Sequence, residues 1–159
     1  MIVLIFGGNR FIGKDVIREL LEWSECDTIY VFNRTGLGHH KSKKIRCIIG
    51  DRNVYKDLEQ IPWKDIDYVV DMCLYEIHQF ELISRYVKKK KYTFMSSIAS
   101  QVDPVLSGFE DYGRQKLLLE ERIRKTVWKN CIVRPTYVLS SPGVRSHIAR
   151  DQYFLDCLY

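Results

Sequence analysis

The sequence predicts an α/β chain, a doubly wound parallel sheet of about six strands with helices on both faces. Two observations predict it. Short apolar runs recur at Ile2–Phe6, Thr28–Asn33, Ile45–Ile49, Ile66–Met72, Tyr92–Ser96 and Cys131–Arg134. Most of them are apolar on both faces, as strands covered by helices on each side must be. Helical patterns alternate with these runs, and strand–helix–strand units close by right-handed crossovers into one sheet. A third observation locates the function: the first run breaks at Gly7-Gly8 and an amphipathic pattern restarts at Phe11. Such a turn aims peptide N–H groups and the positive end of a helix dipole at one spot, which suits a pyrophosphate.

Taken in order, the first helix is expected over Phe11–Trp23, with Ile12, Val16, Ile17, Leu20 and Leu21 on one side. Val54–Gln60 supports at most a short helix. Glu76–Lys89 carries Ile77, Phe80, Ile83 and Val87, and Tyr112–Val127 carries Leu118, Leu119, Ile123 and Val127. These spacings fit an apolar stripe of period 3.6. Residues 1–143 read as one dinucleotide-binding domain of the Rossmann kind, and 144–159 as the start of a substrate-binding region or a tail.

At 46% hydrophobic and 28% charged residues, the composition is that of a globular domain. No apolar run approaches the roughly 20 residues needed to cross a bilayer, and the N-terminus does not follow a signal-peptide pattern. The net charge of +5 is concentrated in Lys41–Arg46 and Lys88–Lys91, read as a solvated loop and a helix end. No recognised nucleic-acid motif accompanies them, so nucleic acid is not an expected partner. Five cysteines are widely spaced and never paired as Cys-x-x-Cys. Cys47, Cys73 and Cys131 lie in or beside apolar runs and read as buried thiols. This usage fits a reducing, cytosolic setting rather than a zinc site or a disulfide framework. His39-His40 in a basic loop read as solvated, and no metal site is expected.

Within Gly7-Gly8-Asn9-Arg10-Phe11-Ile12-Gly13, Gly7 allows the sharp turn, Gly8 close backbone approach, and Gly13 close packing of helix on strand. The second strand ends Asn33-Arg34, without the carboxylate that commonly holds the ribose hydroxyls of NAD. Arg34, with Arg10 reaching from the glycine turn, can instead clamp a 2′-phosphate. NADP is therefore expected in preference to NAD.

Tyr112-Gly-Arg-Gln-Lys116 places a phenol and an ammonium four residues apart on one helical face. A nearby lysine lowers a phenol's pKa and lets it pass a proton near neutral pH. Tyr86-Val-Lys-Lys-Lys90 has the same spacing. Order separates the two: a hydride-transfer site also needs a hydroxyl at the end of the fifth strand. Ser96-Ser97-Ile98-Ala99-Ser100 supplies it directly before the helix of Tyr112, whereas Tyr86 precedes the serines. Ser97 is the expected hydroxyl and Ser100 the alternative.

Glycine turn, Ser97, Tyr112 and Lys116 together resemble the short-chain dehydrogenase/reductase superfamily, in particular its extended NAD-dependent epimerase/dehydratase branch. Phe32-Asn33-Arg34, Gly50-Asp51-Arg52, Val69-Val70-Asp71 and Val133-Arg134-Pro135 add to the likeness and resemble an atypical subgroup. That subgroup includes nucleoside-diphosphate-sugar epimerase-like proteins and stem-loop RNA-binding relatives. The resemblance implies that Asp51, with Arg52 beside it, contacts the adenine, and that Met72 and Cys73 lie along the cofactor. A turn or cap residue is the alternative reading of Asp51. It further implies Ser97 on the reacting oxygen, Tyr112 as general acid/base, Lys116 on the nicotinamide ribose, and Pro135 and Thr136 beside the nicotinamide. The expected substrate is a small carbonyl or alcohol such as a nucleotide sugar, and the expected assembly a homodimer paired through the helix of Tyr112. Relatives continue well past the Arg134-Pro135 strand to build the substrate pocket, so the chain reads as a truncated member. A cofactor-binding module without turnover and an RNA-binding relative are the alternative functions. The tail after Ser140, with Arg145, His147, Arg150 and the apolar Tyr153-Phe154-Leu155, is expected to meet a phosphate or to dock.

Overall fold

A computed structural model describes residues 1–9, 12–36, 41–101 and 110–136. Six strands, β1 (Ile2–Phe6), β2 (Thr28–Asn33), β3 (Ile45–Ile49), β4 (Tyr68–Asp71), β5 (Lys91–Met95) and β6 (Lys129–Val133), form one sheet. Their order is β3-β2-β1-β4-β5-β6, and every pairing is parallel. The chain winds outward from β1 in one direction and from β4 in the other. The switch point therefore lies between β1 and β4, where ligands of doubly wound sheets bind.

The period of two along β1 assigns its side chains to two cores. Val3 and Ile5 face α1 (Ile12–Glu22), where they pack with Ile17, Ile29 and Val31. Leu4 and Phe6 face the other layer, made from α2 (Tyr55–Glu59), α3 (Ile77–Val87) and α4 (Glu110–Thr126). Phe80, Ile83 and Val87 of α3 and Leu119 and Ile123 of α4 fill that side with Tyr92 and Phe94.

Three expectations are corrected. Leu118 does not join the buried stripe of α4 and stays 43% exposed, because the stripe runs through Leu119, Ile123 and Val127. Cys131 is exposed and Cys47 and Cys73 are half-buried, while Cys26 is the fully buried thiol among the described residues. Cys131 lies on β6, an edge strand among the described residues, whose alternate positions are open. Strand β6 also begins at Lys129, two residues earlier than its apolar run, because pairing with Lys91 and Tyr92 continues through the polar pair Lys129-Asn130.

Lys90 of the second basic cluster donates to the Ile66 carbonyl at 2.7 Å, and Tyr86 stacks on Trp63 with centroids 4.7 Å apart. Ile66 precedes β4, so Lys90 lies at the amino ends of the strands. The Tyr86/Lys90 spacing thus serves the scaffold at the end opposite the switch point. No described helix is long and apolar enough to cross a membrane. His39, His40, Ser140, the boundary after residue 143 and the whole tail lie outside the described residues.

Candidate functional site

A cleft of about 630 Å³ opens at the carboxyl ends of the strands, over the switch point. Gly7 turns there with φ at +87°, a left-handed conformation that favours glycine. A Cβ on Gly13 would sit 2.4 Å from the Gly7 carbonyl oxygen and 2.9 Å from the Gly8 Cα. Helix α1 can approach the turn this closely only because Gly13 lacks a side chain. Gly8 plays a different part from Gly7, since it faces Ile17 and Val31 below the cleft.

Of the expected cofactor residues, Gly7, Asn9, Ile12, Gly13, Asn33, Arg34, Asp51, Arg52, Met72 and Cys73 line this cleft. Gly8, Pro135 and Thr136 do not, and Arg10 and Phe11 lie outside the described residues. Asn33 Oδ1 accepts from the amides of Thr35 at 2.8 Å and Gly36 at 2.7 Å, which folds the turn after β2. Asn9 Nδ2 donates to the Gly36 carbonyl and so joins this turn to the glycine turn, while Asn9 Oδ1 is buried without a partner. Arg34 stands exposed on the rim. Asp51 Oδ1 accepts from the main chain and side chain of Asn53, at 2.8 and 2.9 Å, and so shapes its own turn.

Arg52 differs most from its expected role. Its guanidinium pairs with Asp71 through two bonds, 2.8 Å to Oδ1 and 2.9 Å to Oδ2, with Arg52 8% exposed and Asp71 fully buried. Tyr92 donates to the same carboxylate at 2.8 Å, and the guanidinium lies 5.0 Å from the Phe6 ring centroid. Desolvation opposes the charge on Arg52, but the Asp71 carboxylate outweighs it and holds the group protonated. Arg52 Nε keeps a buried N–H without a partner. What this arginine holds directly is the end of β4.

At the neighbouring end of β5, Ser97 begins the 3₁₀ turn Ile98–Ser100 and its Oγ accepts from the Ala99 amide at 3.2 Å. The start of α4 presses on that turn: a Cβ on Gly113 would lie 2.4 Å from the Ala99 carbonyl oxygen. This contact brings Tyr112, 39% exposed, to the side of the site where Ser97 sits. Lys116 is 2% exposed and donates to the carbonyls of Leu74 at 2.8 Å and Met95 at 2.9 Å. Its ammonium also lies 4.8–5.5 Å from the ring centroids of Phe94, Tyr75 and Tyr112. Burial lowers its pKa to about 8 against the favourable pull of Asp71 and other neighbours. Ser97, Tyr112 and Lys116 border the cleft without lining it; Tyr75 and Met95 make the join.

Ser100, the alternative hydroxyl, is committed elsewhere. Ser96 and Ser100 both donate to Glu120 Oε1, at 2.6 and 2.8 Å, from either side of Ser97. Arg134 Nε donates to the same oxygen at 2.8 Å, and Arg124 and Arg134 reach Oε2. Glu120 is fully buried, which alone would raise its pKa; these hydrogen bonds hold it down to about 2. A depressed carboxylate contributes stability above its unfolded value, near pH 4.5, and loses it as pH falls toward 2. The parent protein is expected to lose about 2 kcal/mol more between pH 6 and pH 3 than Glu120→Gln does. Urea unfolding at pH 6 and pH 3 measures the difference; equal losses in both proteins would remove Glu120 from this role.

No protein-family profile and no curated protein sequence matches the chain. Solved structures do. An archaeal thiolation-reductase di-domain of a non-ribosomal peptide synthetase superposes with a TM-score of 0.73 at 18% identity, over 99% of this chain and 58% of the other. A short-chain dehydrogenase from Burkholderia cenocepacia in complex with NADP gives 0.69 at 13% identity, over 98% and 84%. The dTDP-glucose 4,6-dehydratase of Bacillus anthracis in complex with NAD gives 0.68 at 14%, over 99% and 61%. The fold is that of the short-chain dehydrogenases and sugar-nucleotide dehydratases. The chain spans less than two thirds of the di-domain and of the dehydratase, and at these identities the likeness establishes architecture alone. Within that fold, Tyr75, Asn53 and Gln79 of the cleft lining, and Glu120 bonded to Ser96 and Ser100, are residues that sequence reasoning did not single out. Asp71 was noted only within Val69-Val70-Asp71, and that string gave no sign of its ion pair with Arg52.

Proposed function

We propose that the chain binds a nicotinamide dinucleotide across the strand ends, NADP in preference to NAD, and serves hydride transfer to or from a small carbonyl or alcohol, such as a nucleotide sugar. The observation that carries this reading is the cleft itself: it is built on the Gly7 turn and rimmed by exposed Arg34 at the end of β2. The fit is specific in two respects. Asn33, where a ribose-binding carboxylate would stand, uses its side-chain oxygen to fold the turn, leaving Arg34 as the group facing outward. Among the described lining residues Asp51 is the only carboxylate, so the cleft does not repel a polyphosphate.

The bound nicotinamide would supply or accept the hydride. The protein's part is orientation and proton movement. Ser97 Oγ accepts from Ala99 N, which leaves its own O–H free to donate to a substrate oxygen. The Tyr112 hydroxyl would hold and pass the proton. Lys116 has three N–H donors, two of them on main-chain carbonyls, and the third remains for the coenzyme's ribose.

Calorimetric titration with NADPH and NADH tests the reading. NADPH should bind more tightly than NADH. Arg34→Asp should weaken NADPH roughly 10-fold or more while sparing NADH, because hydrogen bonds to charged groups contribute about 1.5–3 kcal/mol. Uptake of neither nucleotide would end the proposal, and unchanged NADPH affinity in the variant would end its NADP part.

A further inference from the structure

We infer that Tyr75 is the surface on which the nicotinamide half of the coenzyme packs, and that its ring keeps the Lys116 ammonium at the seam between cleft and Ser97–Tyr112 end. The inference rests on the coenzyme reading above and assigns a residue that the Ser97–Tyr112–Lys116 set does not include.

Among the described residues three aromatics line the cleft, and two of them offer it no open face. Phe6 is fully buried beneath the Arg52 guanidinium and Phe32 is 2% exposed. Tyr75 is 50% exposed. An open tyrosine face beside buried neighbours suits a flat, partly cationic ring, which aromatic groups attract through stacking and cation–π contacts.

Tyr75 also stands between the two halves of the site. Its ring centroid is 6.5 Å from that of Tyr112 and 4.9 Å from Lys116 Nζ. The main chain beneath it is fixed from three directions. Tyr75 N donates to Gln79 Oε1 at 3.0 Å, Gln79 Nε2 donates to Asn53 Oδ1 at 3.1 Å, and the preceding Leu74 is fully buried with its carbonyl on Lys116. A residue so anchored, with one face bare, is organised for contact before any ligand arrives. The phenol itself is partly desolvated, which raises its pKa and keeps it neutral. It therefore adds no negative charge beside the nicotinamide site.

The test compares each oxidised coenzyme, whose nicotinamide ring carries the positive charge, with its counterpart lacking nicotinamide: NADP⁺ against 2′-phospho-ADP-ribose, and NAD⁺ against ADP-ribose. Dissociation constants are measured for the parent protein, Tyr75→Phe and Tyr75→Ala. Tyr75→Ala should weaken the tighter-binding coenzyme about tenfold and its counterpart less than twofold. Tyr75→Phe should leave both at parental values. Half exposure of the side chain favours folding of both variants, and their melting temperatures check it. Equal weakening of coenzyme and counterpart, or no weakening of either, would overturn the assignment while leaving the coenzyme reading intact. A parent protein that takes up none of the four would instead overturn the coenzyme reading, and this inference with it.

Discussion

Arg52→Met is expected to lower the free energy of unfolding by about 3–5 kcal/mol, the range for breaking a buried ion pair by removing one partner. The substitution keeps the aliphatic volume over Phe6 and leaves Asp71, fully buried, with one neutral donor from Tyr92 and one long contact from the Cys73 amide at 3.3 Å. An isolated carboxylate in that position must be protonated or hydrated, and either disturbs the end of β4. Urea denaturation near pH 7 measures the loss. The double variant Arg52→Met with Asp71→Leu removes both charges and should recover much of it. A single variant as stable as the parent would mean that the pair contributes nothing to the fold.

Gly13→Val is expected to weaken NADPH binding at least about 100-fold and to lower stability by about 1–3 kcal/mol, the usual cost of overpacking. The added side chain would begin 2.4 Å from the Gly7 carbonyl oxygen, and both near neighbours are main chain rather than movable side-chain ends. Relief requires α1 to lift from β1, which moves the amides of the turn away from the position where a pyrophosphate would sit. Calorimetry and a thermal melt read the two consequences separately. Parental affinity in a folded Gly13→Val protein would show that the turn is not where phosphates bind.

Much of the fold was legible because burial and strand chemistry coincide. Strands β1, β2 and β3 begin and end where their apolar runs do, with Gly7, Arg34 and Gly50 as punctuation. Strand β4 was overrun at its start, where Asp67 is pinned outside the ladder by its side chain on the Ile2 amide at 2.8 Å. Chain order set Ser97 just past the end of β5 and Tyr112 in the first turn of α4, with Lys116 one turn further along that helix. Glu120 was not legible. Within Glu120-Glu121-Arg122 it looks like one charge on a solvated helix, and its burial is decided by Ser96, Ser100 and Arg134, none of them near it in sequence. The pairing of Asp71 with Arg52 was illegible for the same reason. Buried polar pairs leave no periodic trace along a chain, whereas apolar faces do.

The carboxylate at Glu120 joins three separate stretches of polypeptide: the segment leaving β5, the middle of α4 and the residue after β6. None of these can fray independently without stranding a charge away from water. That half of the molecule is therefore built to open and close as one cooperative unit, and the serine, phenol and ammonium it carries share a common local lifetime.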